Sequence, residues 1–358
     1  MSNNQNLNPR DVVKLAFQYQ ETEYIPYYFE ISLDQERALS EYYGEYLVGG
    51  NELWRSRIIK YIGQITGVDQ FLSLSGLIPQ EDGSERDSFG CSYKGDTKNR
   101  MGSIFHLVDW PLHEPKMEKY HLPDLKSYFD NYVIPRWPFD IRNTENQFRT
   151  IYNNFGLFER AWSLRGFEEF LIDMAINEKF AEELLEHITQ WYLQCIDLMA
   201  AAPVDAILLS DDHSGQRGLL MGEERWRKLL KPRWKQVYER IHHYGFYTIM
   251  HMCGDTSTVI PDLIEIGLDC MESCQPEAMD IYKLKKEYGE DIRFWGGLGV
   301  QSVYTFGTPD EIRNEARRLK REMGRGGGYV LSSAKPPGAE VPAANIAALL
   351  EEMMLPRL

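Results

Sequence analysis

This 358-residue chain has few cysteines, fewer basic than acidic residues (39 against 54) and no long apolar run. The five cysteines, at 91, 195, 253, 270 and 274, are an odd number without the spacing of a disulfide framework, which suits a reducing compartment. The net charge of −15 argues against nucleic acid or an anionic membrane as the main partner. No apolar stretch approaches the roughly 20 residues needed to span a bilayer, and the opening Met1-Ser2-Asn3-Asn4-Gln5-Asn6 lacks the apolar core of a signal peptide. The expectation is a cytoplasmic protein. No Gly-x-Gly-x-x-Gly follows a strand-like segment, which removes the usual mark of an open dinucleotide-binding sheet. What is present, at 43% hydrophobic and 13% aromatic residues, is enough for a sizeable core.

The second half of the chain is rhythmic. Strand-like runs at 149–153, 204–210, 246–251, 268–273, 292–297 and 329–333 alternate with helical stretches at 158–164, 166–174, 177–201, 222–244, 257–265, 277–287 and 308–323. Apolar strands that do not alternate, separated by helices, predict a parallel sheet covered on both sides. With a strand over 25–31 and one more from the first half, eight strands close a (β/α)8 TIM barrel, read here as a single domain over residues 1–358. Helices are expected at 34–43, 51–61 and 125–137. Residues 77–125, dense in Pro, Gly and Asp, read as an insertion or hairpin flap, with strands near 87–93 and 101–108.

A barrel of this kind works at the carboxyl ends of its strands, and those ends here turn from apolar to polar. They carry Asp211-Asp212-His213-Ser214-Gly215-Gln216, His251-Met252-Cys253-Gly254, Glu272-Ser273-Cys274, Gly296 to Gln301, and Ser332 to Lys335. His251 and Cys253 alternate on an extended chain, so they share a face about 7 Å apart. An imidazole and a thiol there are half of a zinc site, and Glu272 is the expected third donor, with Cys274 as another candidate. A buried inert thiol and a hydrogen-bonded core histidine are the plainer reading. Asp211, straight off its strand, is the better candidate for catalysis, whereas Asp212 is equally suited to capping the next helix.

As a set, these segments resemble the uroporphyrinogen decarboxylase superfamily. The resemblance rests on Asp205-Ala206-Ile207, Asp211 to Gly218, Lys231-Pro232-Arg233, His251 to Gly254, Gln275-Pro276-Glu277, Gly296 to Gln301, Gly307-Thr308-Pro309 and Val341-Pro342-Ala343-Ala344-Asn345. It implies a (β/α)8 barrel. The superfamily's true decarboxylases carry an N-terminal Arg-Gln-Ala-Gly-Arg clamp for a polyanionic porphyrinogen, but here Tyr27-Tyr28-Phe29-Glu30-Ile31-Ser32 stands in that region. The likeness is therefore to the corrinoid-dependent methyltransferases, in which His-x-Cys and a distant Cys bind zinc. Lys335 occupies the position of that distant Cys. The resemblance implies methyl transfer between a small-molecule donor such as a methyl ether, or a thiol acceptor, and a corrinoid (cobalamin) on a partner protein. His251, Cys253 and Glu272 would bind zinc, and Asp211 and Gln301 would position or protonate substrate. Asp212, His213, Gln216 and Lys335 are candidate substrate contacts. The family tendency is toward homodimers. Decarboxylation of a tetrapyrrole or smaller acid, and non-catalytic corrinoid or tetrapyrrole binding, are the alternatives.

Overall fold

The computed structural model describes residues 7–29, 33–44, 62–65, 78–95, 105–128, 146–153 and 155–357. In chain order the strands are β1 (Ile62–Ile65), β2 (Ile78–Pro79), β3 (Glu85–Arg86), β4 (Ser92–Gly95), β5 (Phe105–Asp109), β6 (Phe148–Asn153), β7 (Ala206–Ser210), β8 (Ser214–Gly215), β9 (Gly218–Leu219), β10 (Tyr247–His251), β11 (Cys270–Ser273), β12 (Arg293–Leu298) and β13 (Tyr329–Ser333). Seven of them form one parallel sheet in the order β1-β6-β7-β10-β11-β12-β13. From β6 to β13 each crossover between parallel neighbours runs through helix. Tyr27 bridges in parallel to Leu331 at the far side of β13, which puts the N-terminal segment in the eighth position. The fold is a TIM-barrel α/β fold.

The six strands expected in the second half match β6, β7, β10, β11, β12 and β13 to within two residues at each end. The expected strand over 25–31 differs: among its described residues only the single bridge at Tyr27 forms, and Pro26 before it has no N–H to extend a ladder. The remaining barrel strand is β1, a four-residue Ile-Gly-Gln-Ile segment too short to show a pattern. The helix expected at 51–61 lies outside the described residues, as does the part of 125–137 beyond the short helix Leu125–Tyr128. The helix expected over 222–244 is continuous but changes pitch, with a π turn at Trp226–Leu230 before the α-helix Lys231–His243.

The amino end of the barrel is closed. Helix Pro9–Phe17, started by an Asn8/Asp11 capping box, lays Phe17 against Phe148 and Tyr247 with ring centroids 5.1 and 5.0 Å apart. Arg10 holds Asp205 with two guanidinium nitrogens, at 2.8–3.1 Å. The carboxyl ends of the strands are therefore the end left free to build a site.

Strands β2 to β5 form a separate antiparallel meander. Of the strand expected near 87–93, residues 92 and 93 begin β4, whereas 87–91 form the turn between β3 and β4. Asp87 makes it by accepting the backbone N–H groups of Phe89 and Cys91, both at 2.9 Å. The meander is locked to the barrel by a buried ion pair, Asp87 to Arg160 at 3.0 Å, whose guanidinium lies 3.7 Å over the Phe89 ring. Cys91 donates to the Ser163 carbonyl at 3.1 Å beside it. No helix among the described residues is long and apolar enough to cross a membrane.

Candidate active site

Strand register assembles the site. β10 pairs with β11 so that His251 stands directly beside Glu272, and with β7 so that His251 stands beside Ser210, one residue before Asp211. Registered neighbours in a parallel sheet send their side chains to the same face. Glu272 therefore meets His251 on Nδ1. The ring's other nitrogen, Nε2, faces Cys253, with Sγ 3.2 Å away. Asp212 completes the group: its Oδ1 accepts the Cys253 N–H at 2.8 Å and lies 3.9 Å from His251 Nε2. One donor atom from each of Asp212, His251 and Cys253 falls within 4.8 Å of the others.

The turn carrying Cys253 is fixed from several sides. Ser214 donates to the Cys253 carbonyl at 2.7 Å, and the Gly254 N–H donates to Gln275 at 3.1 Å. Gly254 has φ +86°, and a Cβ there would come within 2.6 Å of the Gly215 carbonyl, so only glycine fits between this turn and the β8–β9 hairpin. Ser273, at φ +89°, and Cys274, at φ +39°, put two non-glycine residues in left-handed backbone directly after Glu272.

Other expected residues are placed differently. Asp211 is fully buried, and its two oxygens accept the Phe158 and Glu159 N–H groups at 3.1 and 2.9 Å. It caps helix Leu157–Arg165 across the strands, complementing that helix's positive end. Gly156 makes the approach possible, since a Cβ there would lie 2.5 Å from that of Asp211. His213 is also fully buried, edge-to-face with Trp226 at 5.8 Å between centroids and 4.0 Å from the Asp211 carboxylate. Neither of its ring nitrogens has a hydrogen-bond partner among the described residues. Cys274 turns away and donates to the Met271 carbonyl at 3.3 Å. Gln216 and Gln301 meet at the exposed rim at 3.5 Å, and the Gln301 N–H is held by Glu277 at 2.9 Å.

Two residues gain a place that the sequence did not give them. Asp212, expected at a substrate or a helix cap, stands on the Nε2 side of His251, where a third donor belongs. Glu272, expected as that donor, sits on the opposite ring nitrogen, Nδ1. Glu159 also stands by the cluster, and nothing in the sequence marks it: an acid in a helix's first turn ordinarily signals only capping.

The charges are unevenly balanced. Burial, then the carboxylates of Asp212 and Asp211, push the Glu159 carboxyl up to about 8, with His251 opposing. One Glu159 oxygen is buried without a hydrogen-bond partner among the described residues. Burial works against a proton on His251, but Glu272 and the Cys253 thiol outweigh it and hold the imidazole well above its ordinary value. Lys335 is likewise disfavoured by burial, yet Cys253 and Asp212 raise it above the ordinary lysine value. Oxygen, nitrogen and sulfur donors together, with a carboxylate behind the histidine, are a chemically apt set for zinc with a position left open.

The sequence model of the uroporphyrinogen decarboxylase family matches residues 155–354. The chain belongs to this family. A methylated-thiol–coenzyme M methyltransferase of Methanosarcina mazei is 22% identical over 160 residues, 45% of this chain and 41% of that protein. A uroporphyrinogen decarboxylase of Chlorobium phaeobacteroides is 25% identical over 177 residues, 48% of each chain. A methylcobamide:CoM methyltransferase of Methanosarcina acetivorans is 22% identical over 76% of this chain and 77% of its own. The chain thus spans less than half the length of the first two relatives. Among solved structures, a methyltransferase from Methanosarcina mazei superposes with a TM-score of 0.69 at 16% identity, covering 97% of this chain and 98% of that one. That likeness establishes the shared fold. The relatives divide between methyl transfer and decarboxylation.

Proposed function

We propose that this family member is a methyltransferase that moves a methyl group between a small molecule and a corrinoid carried by a partner protein. The observation that carries the reading is the Asp212–His251–Cys253 cluster, backed by Glu272 on the far nitrogen of the histidine. These three residues would hold zinc, which supplies Lewis acidity that lowers the pKa of a bound thiol toward the nucleophilic thiolate.

The chain's own groups do the rest. Glu272 fixes the histidine tautomer by accepting the hydrogen bond of Nδ1–H, which leaves the Nε2 lone pair to act as the metal ligand. Asp211 acts as a positioning residue: it holds the first turn of helix Leu157–Arg165, and through it Glu159. Glu159 keeps its proton near neutral pH and is placed to give one up beside Asp212. Gln216 and Gln301 border the opening and are suited to neutral polar groups on the substrate.

Decarboxylation of a porphyrinogen is less well supported. The Asp212 and Glu272 carboxylates stand on either side of His251, an unfavourable surface for a polyanion. The test is metal analysis joined to a methyl-transfer assay with cob(I)alamin and a panel of methoxylated aromatics, methylamines and thiols. Close to one zinc per chain, with both zinc and transfer greatly reduced in Cys253→Ala, is expected. A metal-free protein that is fully active would overturn the zinc part, and consumption of uroporphyrinogen would overturn the methyl-transfer part.

A further inference from the structure

One row of side chains runs round the barrel at the level of the cluster. Strand register sets His251 beside Ser210 and Glu272, Glu272 beside Trp295, and Trp295 beside Val330. Registered neighbours share a face, so Trp295 stands next to Glu272 on the side that carries His251. Tyr28 reaches the same face from the far edge. Tyr27 bridges Leu331, Tyr28 follows it with the opposite orientation, and its ring meets the Trp295 indole edge-to-face at 5.4 Å. The Glu272 side chain is 14% exposed and Tyr28 is half-buried, so the row borders open space on both sides of the indole. Trp295 itself is buried, and its Nε1–H is closed to water without a hydrogen-bond partner among the described residues. Leaving a buried donor unpaired costs stability, and a bound molecule that brings an acceptor recovers it.

We propose that Trp295 is a specificity-determining residue, donating its indole N–H to the oxygen of an aryl methyl ether bound against it. This rests on the methyl-transfer reading given above and deepens it by naming the class of methyl donor. An indole N–H is a donor only. An ether oxygen satisfies it, a thioether sulfur does so poorly, and a methylammonium, with protons and no lone pair, does not. A site with such a buried donor rejects molecules that leave it unpaired. The ring of the ether takes the place of the Tyr28 ring against the indole, exchanging one aromatic contact for another and adding a hydrogen bond.

The test is binding of methoxybenzene and ethylbenzene to the full, metal-stripped chain by ligand-observed NMR, for the wild type and Trp295→Phe. The probes have nearly the same shape and differ by an oxygen in place of a methylene. Phenylalanine keeps an aromatic ring and removes the N–H. The greater hydrophobicity of ethylbenzene acts on both proteins and cancels in the comparison. The ratio of the ethylbenzene to the methoxybenzene dissociation constant should fall by about three- to tenfold in Trp295→Phe, while ethylbenzene still binds. A second reading uses the wild type alone: of the eight tryptophan indole N–H signals, one should move downfield with methoxybenzene and not with ethylbenzene. That signal decides the matter if Trp295→Phe does not fold. An unchanged ratio, no indole signal that distinguishes the probes, or no binding of methoxybenzene would overturn the role of Trp295, whatever the methyl-transfer assay shows. A changed ratio in a chain that transfers no methyl group would keep the hydrogen bond and overturn the methyl-transfer reading.

Discussion

Glu159→Gln keeps the size of the side chain and removes only its ability to ionise, so it isolates the electrostatics of the acid that the barrel buries. In the folded protein burial and the Asp212 and Asp211 carboxylates raise its pKa from 4.5 to about 8. The folded state thus holds this proton more tightly than the unfolded chain does. The associated stability is fully present below about pH 4.5 and is lost as the pH rises through about 8. At about 1.36 kcal/mol per pH unit, that interval sets an upper bound of about 5 kcal/mol. Glu159 is half-buried and its acidic neighbours can relax, which brings the expected loss to about 2–3 kcal/mol. Glutamine stands in for the protonated acid at every pH. Urea unfolding of chelator-treated protein should therefore give stabilities within about 1 kcal/mol of each other at pH 5, and a variant more stable by about 2–3 kcal/mol at pH 9. Chelation matters because a bound cation would offset the very repulsion being measured. A stability difference that is the same at both pH values, or a variant less stable at pH 9, would refute the reasoning.

Glu272→Gln leaves Asp212, His251 and Cys253 in place but takes the charge from behind the imidazole; zinc affinity by calorimetric titration should fall by about 10- to 100-fold. Asp87→Ala strips the buried Arg160 of its carboxylate partner, and denaturant unfolding should show a loss of about 3 kcal/mol together with easier proteolysis of the meander. Gly156→Ala forces a Cβ to within 2.5 Å of that of Asp211; a loss of about 1–3 kcal/mol by thermal unfolding should accompany reduced methyl transfer, since Glu159 moves with the helix.

Much of the scaffold is local, and for that reason legible. A buried parallel strand declares itself as a short apolar run, and a covering helix by its 3.6-residue period, so β6, β7, β10, β11, β12 and β13 could all be placed from composition and spacing. The turn from apolar to polar residues at those strand ends likewise marked which end of the barrel would do chemistry. The His251–Cys253 spacing is local too: two residues along an extended chain share a face whatever surrounds them. The meander was less legible, because an Asp in a turn looks like any other turn residue until its two N–H partners are known. β1 carried too few residues to show a pattern.

What the sequence determined by itself was a family barrel with an imidazole and a thiol at its working end. Tertiary structure decided which groups join them, because donor geometry belongs to pairs of strands. The β10–β11 register set Glu272 on Nδ1 of His251, and the course of the chain beyond β7 brought Asp212 to the Nε2 side. Asp211, the more prominent carboxylate in the sequence, was drawn into capping a helix that starts some 50 residues earlier, and in doing so placed the unmarked Glu159 in the site. A side chain's chemical type is written at its own position, but which neighbour holds its proton or shares its charge is fixed only when distant strands are brought into register.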